Sequence, residues 1–101
     1  AQSWQADVVA TAKRDLPPGT VLDGEGGHTV YGRLMPAADS LAAGCLPLGL
    51  AHKVKLKRRI AAGETIGWAD VDYDADLPAV RLRREMERLC APAPALPARA
   101  A

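Results

Sequence analysis

The chain contains no phenylalanine, and its aromatic side chains are two tryptophans and two tyrosines. A large aromatic core is thereby excluded. The interior must be assembled from Val, Leu, Ile and Ala around Trp4, Trp68, Tyr31 and Tyr73. The two cysteines, Cys45 and Cys90, have neither CxxC spacing nor a histidine partner set, so they supply no framework for a zinc ribbon or a disulfide-stapled scaffold. Both read as small buried or half-buried hydrophobes in a reducing compartment, with a disulfide or a metal site as the alternatives. No apolar run approaches the roughly 18 residues that would cross a bilayer, and the opening AQSWQADVV lacks a positive n-region followed by an apolar h-region. The expectation is a cytoplasmic protein with no membrane partner. Net charge is only +1, so the excess of basic groups that holds a protein to a phosphate backbone is missing and no nucleic-acid partner is expected.

What is present suits one small soluble domain: 101 residues, 49% apolar and 25% charged. After a lead-in over 1–7, Val8 to Lys13 reads as a strand that enters the turn Pro17-Pro18-Gly19. Thr20-Val21-Leu22 resumes an extended piece, GEGG at 24–27 interrupts it, and HTVYGRL is a further β-like run. Pro36 opens a short helix to residue 43, and Gly44 supplies its left-handed stop. From His52 to Ile60 the pattern alternates: Lys53, Lys55, Lys57 and Arg59 share one face, with Val54, Leu56, Arg58 and Ile60 on the other. Asp70, Asp72, Asp74 and Asp76 form an acidic counterpart, facing solvent or the basic stripe across paired strands. Asp76 then caps a helix over 77–89. Leu82, Met86, Leu89 and Cys90 line one of its sides, and the Arg81/Glu85 and Arg83/Glu87 pairs lie on its surface. The Ala/Pro tail 91–101 has too little to bury and is expected to be disordered.

A shift of 44 residues superposes Lys13-Arg14 on Lys57-Arg58, Leu16 on Ile60, Gly19 on Gly63 and Leu22 on Ile66. Each copy has a strand, an inward apolar residue, a glycine turn and a second inward apolar residue. One copy alone buries a single face, so two related by a rough two-fold close a core between them. The repetition is structural.

The phrases AKRDLPPGTVLDGEGG, TVYG, LPLGLAH and KLKRRIAAGETIGWADV resemble the SAF domain, a β-clip module found in sialic acid synthases, sugar-acid dehydratases and flagellar P-ring chaperones. The resemblance covers about Val8 to Tyr73 and implies a β-clip fold. Together with the pattern it gives the expected architecture: a mostly β domain over 8–75 with a pseudo-two-fold repeat and one short internal helix, followed by a C-terminal helix over 76–90. A narrower likeness, carried by GEGGHTVYGRL, LPLGLAH and AVRLRREME, is to the C-terminal region of NAD(P)-dependent oxidoreductases of the homoserine-dehydrogenase-like and 1-deoxy-D-xylulose 5-phosphate reductoisomerase-like kind. It implies an accessory closing domain that covers an active site or mediates oligomer contacts. On that reading NAD(P) is held by the parent's N-terminal dinucleotide-binding domain, the expected partner along with other subunits, and no cofactor by this chain. The alternative is a free-standing module for a sugar acid or another small anion.

No catalytic constellation is legible. Gly24-x-Gly26-Gly27 falls short of G-x-G-x-x-G, with Thr29 at the last glycine position, and its flanks read as strands. Asp70-x-Asp72-x-Asp74 fails as an EF-hand loop, with Ala75 sixth and Arg81 twelfth. No metal site is expected. The basic stripe reads first as a solvated or salt-bridged strand face. For anion binding Arg14 and Arg58 are the leading candidates, because a guanidinium meets a carboxylate or phosphate with two parallel bonds. Lys57 joins them from the same stripe. His52 and Tyr31 are candidates for a ligand or domain interface through their place in the oxidoreductase-like segments, while His28 reads as a polar surface group.

Overall fold

Residues Ala6–Ala12 form β1, an almost uniformly apolar strand interrupted by Asp7 and Thr11. The computed structural model describes residues 6–90; Trp4, most of the expected lead-in and the tail 91–101 lie outside them, as does the side chain of Cys90. The chain continues through β2 (Val21–Asp23), β3 (Val30–Pro36), α1 (Ala37–Ala43), a 3-10 turn at Leu48–Leu50 and β4 (His52–Leu56). A second 3-10 turn at Trp68–Asp70, β5 (Val71–Asp72) and α2 (Pro78–Cys90) complete it. β1 pairs antiparallel with β3, and β2, β4 and β5 form a second antiparallel sheet with β4 central. Among the described residues the fold is mainly β with two α-helices.

The repeat becomes a local two-fold. Leu16 and Ile60 exchange both main-chain hydrogen bonds, at 2.8 and 2.9 Å. Around that axis the bonds come in equivalent pairs: Gly19 N–H to the Leu56 carbonyl matches Gly63 N–H to the Ala12 carbonyl, at 2.8 and 2.9 Å. Leu56 N–H to the Thr20 carbonyl likewise matches Ala12 N–H to the Glu64 carbonyl. Gly19 and Gly63 sit at φ 87° and 82°, which residues with a Cβ rarely adopt, so the turn can close where the chain doubles back. Leu16, Leu22, Val30, Leu46, Leu56, Ile60, Ile66 and Val71 are essentially inaccessible and fill the space between the halves.

The opposite stripes do meet, over a shorter length than the alternation suggests. Lys55 is in register with Asp72, and the Lys57 ammonium lies 4.0 Å from the Asp72 carboxylate. β4 ends at Leu56 because the chain must turn to reach the Leu16 bridge, so Arg58 is half exposed instead of facing the core. β5 is only two residues long: Asp70 belongs to the 3-10 turn, and Asp74 accepts the Asp76 N–H in the turn after the strand. α1 ends at Gly44, φ 66°, as its sequence requires. Tyr31 lies on β3 and is 41% exposed, outside the core that Trp68 and Tyr73 join.

α2 departs most from expectation. It begins at Pro78, and the Leu77 carbonyl takes the Arg81 N–H, so Asp76 is not its cap. Leu82 and Leu89 are 73% and 70% exposed, while Val80, Arg83 and Glu87 face the body. The Arg83–Glu87 pair exists but is largely buried, and Glu85 pairs with Arg88 instead of Arg81. The reason lies in β1: Asp7 is 6% exposed and needs a cation, which Arg83 supplies with two parallel bonds at 3.0 and 2.6 Å.

Candidate functional site

The glycine-rich stretch 24–27 is a loop between β2 and β3, organised by one carboxylate. Asp23 accepts hydrogen bonds from the N–H groups of His28 (2.8 Å) and Thr29 (3.0 Å) and from the Thr29 hydroxyl. These donors hold its carboxyl well below the usual carboxylate range, the Thr29 hydroxyl foremost. Gly27 lies against this carboxylate so closely that a Cβ there would fall 2.3 Å from the Asp23 Cγ. The end of β1 clamps the loop from outside: Lys13 Nζ donates to the Gly27 carbonyl at 2.6 Å, and Arg14 Nη1 to the His28 carbonyl at 3.2 Å.

Across from this loop runs the 3-10 turn Leu48–Leu50 and the start of β4. Between them lies a cleft of about 310 Å³ lined by Asp23, Gly24, Glu25, Leu48, Gly49 and His52. His52 stands against Gly24, where a Cβ would come within 3.3 Å of its Nδ1. An irregularity in the β2–β4 register and the left-handed Lys53 (φ 61°) follow at once, a bulge that re-aims the side chains of this corner. With Asp23 committed to its own loop, Glu25 and His52 are the remaining polar side chains of the lining, beside Leu48. Such an arrangement can hydrogen-bond a hydroxylated ligand or a protein surface. Its lining holds no Ser, Thr, Cys or Lys side chain.

A larger cleft, about 460 Å³, opens between the Gly44–Cys45 segment, the Trp68–Asp70 turn, Arg58 and Arg84. Arg58 is already spoken for. Its Nε donates to Asp70 at 2.6 Å, Nη2 to Glu64 at 3.0 Å and Nη1 to the Arg59 carbonyl at 3.0 Å. The Asp70 and Glu64 carboxylates push its pKa further up from an already high value. Asp70 in turn accepts the Gly67 N–H at 2.8 Å, so the cluster fixes the turn that carries Trp68. The Arg84 guanidinium lies 4.4 Å from the Trp68 ring centre, and the Trp68 indole N–H donates to Glu87 at 3.3 Å. Below it, Cys45 is buried, which pushes its thiol pKa up, and its Sγ is 3.9 Å from the Met35 sulfur.

The five candidate residues are therefore not gathered at one point. His52 lines the smaller cleft and Arg58 the larger one. Lys57 faces Asp72, Tyr31 sits on β3 opposite Thr11, and Arg14 holds the glycine loop. The two arginines related by the repeat differ in kind: Arg58 is enclosed by two carboxylates, while Arg14 has no carboxylate partner among the described residues. Sequence reasoning missed the buried chain Ser40–Asp7–Arg83–Glu87–Trp68, which joins α1, β1, α2 and the second 3-10 turn. Its signal was present in ADVVATA, where an acid interrupts an otherwise apolar strand.

The glycine loop does not have the form of a dinucleotide-binding loop. The glycine loop lies between two strands, with no helix N-terminus to receive a pyrophosphate, and a carboxylate occupies its hub.

Both clefts lie on a mainly β module built about a local two-fold. The SAF domain family model matches residues 7–72, about two-thirds of the chain, and the protein belongs to the SAF domain family. A comparison with curated proteins finds no match. α2 lies beyond the matched segment.

Proposed function

We propose that this chain is the accessory SAF domain that closes an NAD(P)-dependent oxidoreductase, acting on a polyol, sugar-phosphate or hydroxy-acid substrate, with hydride transfer on a separate dinucleotide-binding domain. One observation carries the reading. The two segments whose wording is most like that enzyme group, GEGGHTVYG and LPLGLAH, are far apart in sequence yet form the two walls of one cleft, with His52 at its rim. A loop braced by its own carboxylate, with its remaining polar groups turned outward, suits a surface that covers a neighbouring active site.

Two measurements test it. Titrating NADPH into the chain should give no saturable binding at micromolar concentration. Reading the coding sequence upstream of Ala1 should reveal an in-frame segment of about 300 residues that carries a dinucleotide-binding loop. A micromolar NADPH site on this chain, or an upstream segment without such a loop, overturns the proposal.

A second reading, a free-standing module for a sugar acid or another small anion, is favoured by Arg14. Among the described residues its guanidinium makes one hydrogen bond, to a carbonyl, and has no carboxylate partner, with Lys13 next to it in the chain.

A further inference from the structure

α2 is packed with its charges inward and its leucines outward. Leu82 and Leu89 are 73% and 70% exposed and Leu77 is 49% exposed, whereas an isolated surface helix of this length ordinarily buries its apolar stripe. A mainly apolar groove of about 310 Å³ runs between α2 and the Leu48–Leu50 turn, with Leu82 on its lip and Pro47, Leu50, Ala79, Arg83 and Met86 along its walls. One patch thus offers both a projecting side chain and a recess of matching character. That is the requirement for an isologous contact, in which each copy gives what it receives.

The charges beside the ridge decide how two copies would meet. Arg81 and Glu85 flank Leu82 on the side away from the groove, one helical turn apart. Arg81 has no carboxylate partner among the described residues, and Glu85 is engaged only with exposed Arg88 on the same helix, a pair that exchanges at little cost. Two α2 helices set antiparallel, with the two-fold near Arg83, bring each Arg81 opposite the partner's Glu85. A parallel arrangement sets like charges against each other. The Asp7–Arg83 bonds keep the helix in this orientation on each copy, so the leucine ridge is presented ready-formed.

The geometry points to the α2 face as a homodimer interface: two copies of this chain pack their α2 helices antiparallel, Leu82 of each filling the other's Pro47–Leu50–Met86 groove, with reciprocal Arg81–Glu85 pairs at the rim. The oxidoreductase reading is not required for this. An upstream segment without a nucleotide-binding loop would leave the dimer standing, and a monomeric chain would leave the enzyme reading standing.

Sedimentation velocity of the full 101-residue chain over a concentration series is the test. The expected result is a monomer–dimer equilibrium that L82E weakens by about tenfold or more. R81E also weakens it, and the double exchange R81E/E85R restores it. Because Leu82 and Arg81 are exposed, both variants should keep the parent's circular dichroism and melting temperature; if L82E fails to fold, the R81E and R81E/E85R pair decides. A chain that stays monomeric up to about 1 mM overturns the proposal and assigns the face to a different protein or domain. A dimer indifferent to these substitutions overturns it equally, because the contact then lies elsewhere.

Discussion

Leu16 and Ile60 lie 44 residues apart in sequence and exchange both of their main-chain hydrogen bonds, which places the local two-fold of the domain between them. Both side chains are at most 1% exposed. Each half of the repeat therefore completes the other's backbone bonding as well as its core. Truncating either residue to Ala should cost about 2–5 kcal/mol, the range for a large aliphatic side chain removed from a packed interior. Urea denaturation of L16A and I60A tests this, and a large loss for one beside none for the other would contradict the symmetry.

The paired glycines give a finer test of the same relationship. At Gly19 and Gly63 an added Cβ meets nothing within 4 Å, so the cost of alanine is purely conformational. Each of G19A and G63A should lose about 1–2 kcal/mol, the penalty for placing an L-residue in the left-handed region, and by similar amounts. Equal midpoint shifts in thermal or urea unfolding are the expected readout.

The Asp7–Arg83 pair makes stability depend on pH in a defined direction. Burial alone would raise the Asp7 pKa, yet the hydrogen bonds from Arg83 and Ser40 and the Arg83 charge outweigh it and hold the carboxyl below its ordinary 3.8. A depressed folded-state value means that Asp7 contributes stability above the unfolded value and that this is lost as pH falls through the folded value. R83M, which leaves the buried carboxylate unpaired, should lose roughly 3 kcal/mol at neutral pH, and the gap to wild type should narrow only in the acid limb. A gap that stays constant down to about pH 2 would show that Asp7 is not the group responsible.

The sequence carried the parts of this fold that depend on short-range pattern. A β-branched apolar run marked the body of β1 and alternation that of β4, Pro36 and Gly44 bracketed α1, and the spacing of Leu16, Gly19, Ile60 and Gly63 disclosed the repeat. The orientation of α2 was hidden, because its Leu82–Met86–Leu89 stripe argues for the opposite face, and the deciding partner, Asp7, is 76 residues from Arg83. β4 was read four residues too long for a related reason: Arg58 and Ile60 continue the alternation, but the chain turns after Leu56 to meet Leu16. Of the candidate site, the smaller cleft was legible only as two separate phrases. That Asp70 and Glu64 enclose Arg58 could not be seen before the turns that carry them were placed.

Within the glycine loop, Asp23 and Gly27 should behave as one unit. D23A removes the acceptor of three hydrogen bonds, and G27A drives a Cβ into the same carboxylate. Both substitutions should abolish amide-exchange protection at His28 and Thr29 while leaving Leu16 and Ile60 protected. Loss of protection in only one of the two variants would mean that the carboxylate is not the hub.

The asymmetry between Arg14 and Arg58 decides where an anion would bind. A guanidinium already held by two carboxylates attracts a third only by displacing one, whereas Arg14 has donors to spare and Lys13 beside it. Titration with gluconate or a sugar phosphate, followed by NMR, should move the Arg14 side chain and the amides at Gly27 and His28, leaving Arg58 unchanged. R14A should abolish the response and R58A should not. Shifts centred on Arg58 would reverse the order of the two arginines, and an unchanged spectrum at about 10 mM ligand would remove the free-standing anion module from consideration.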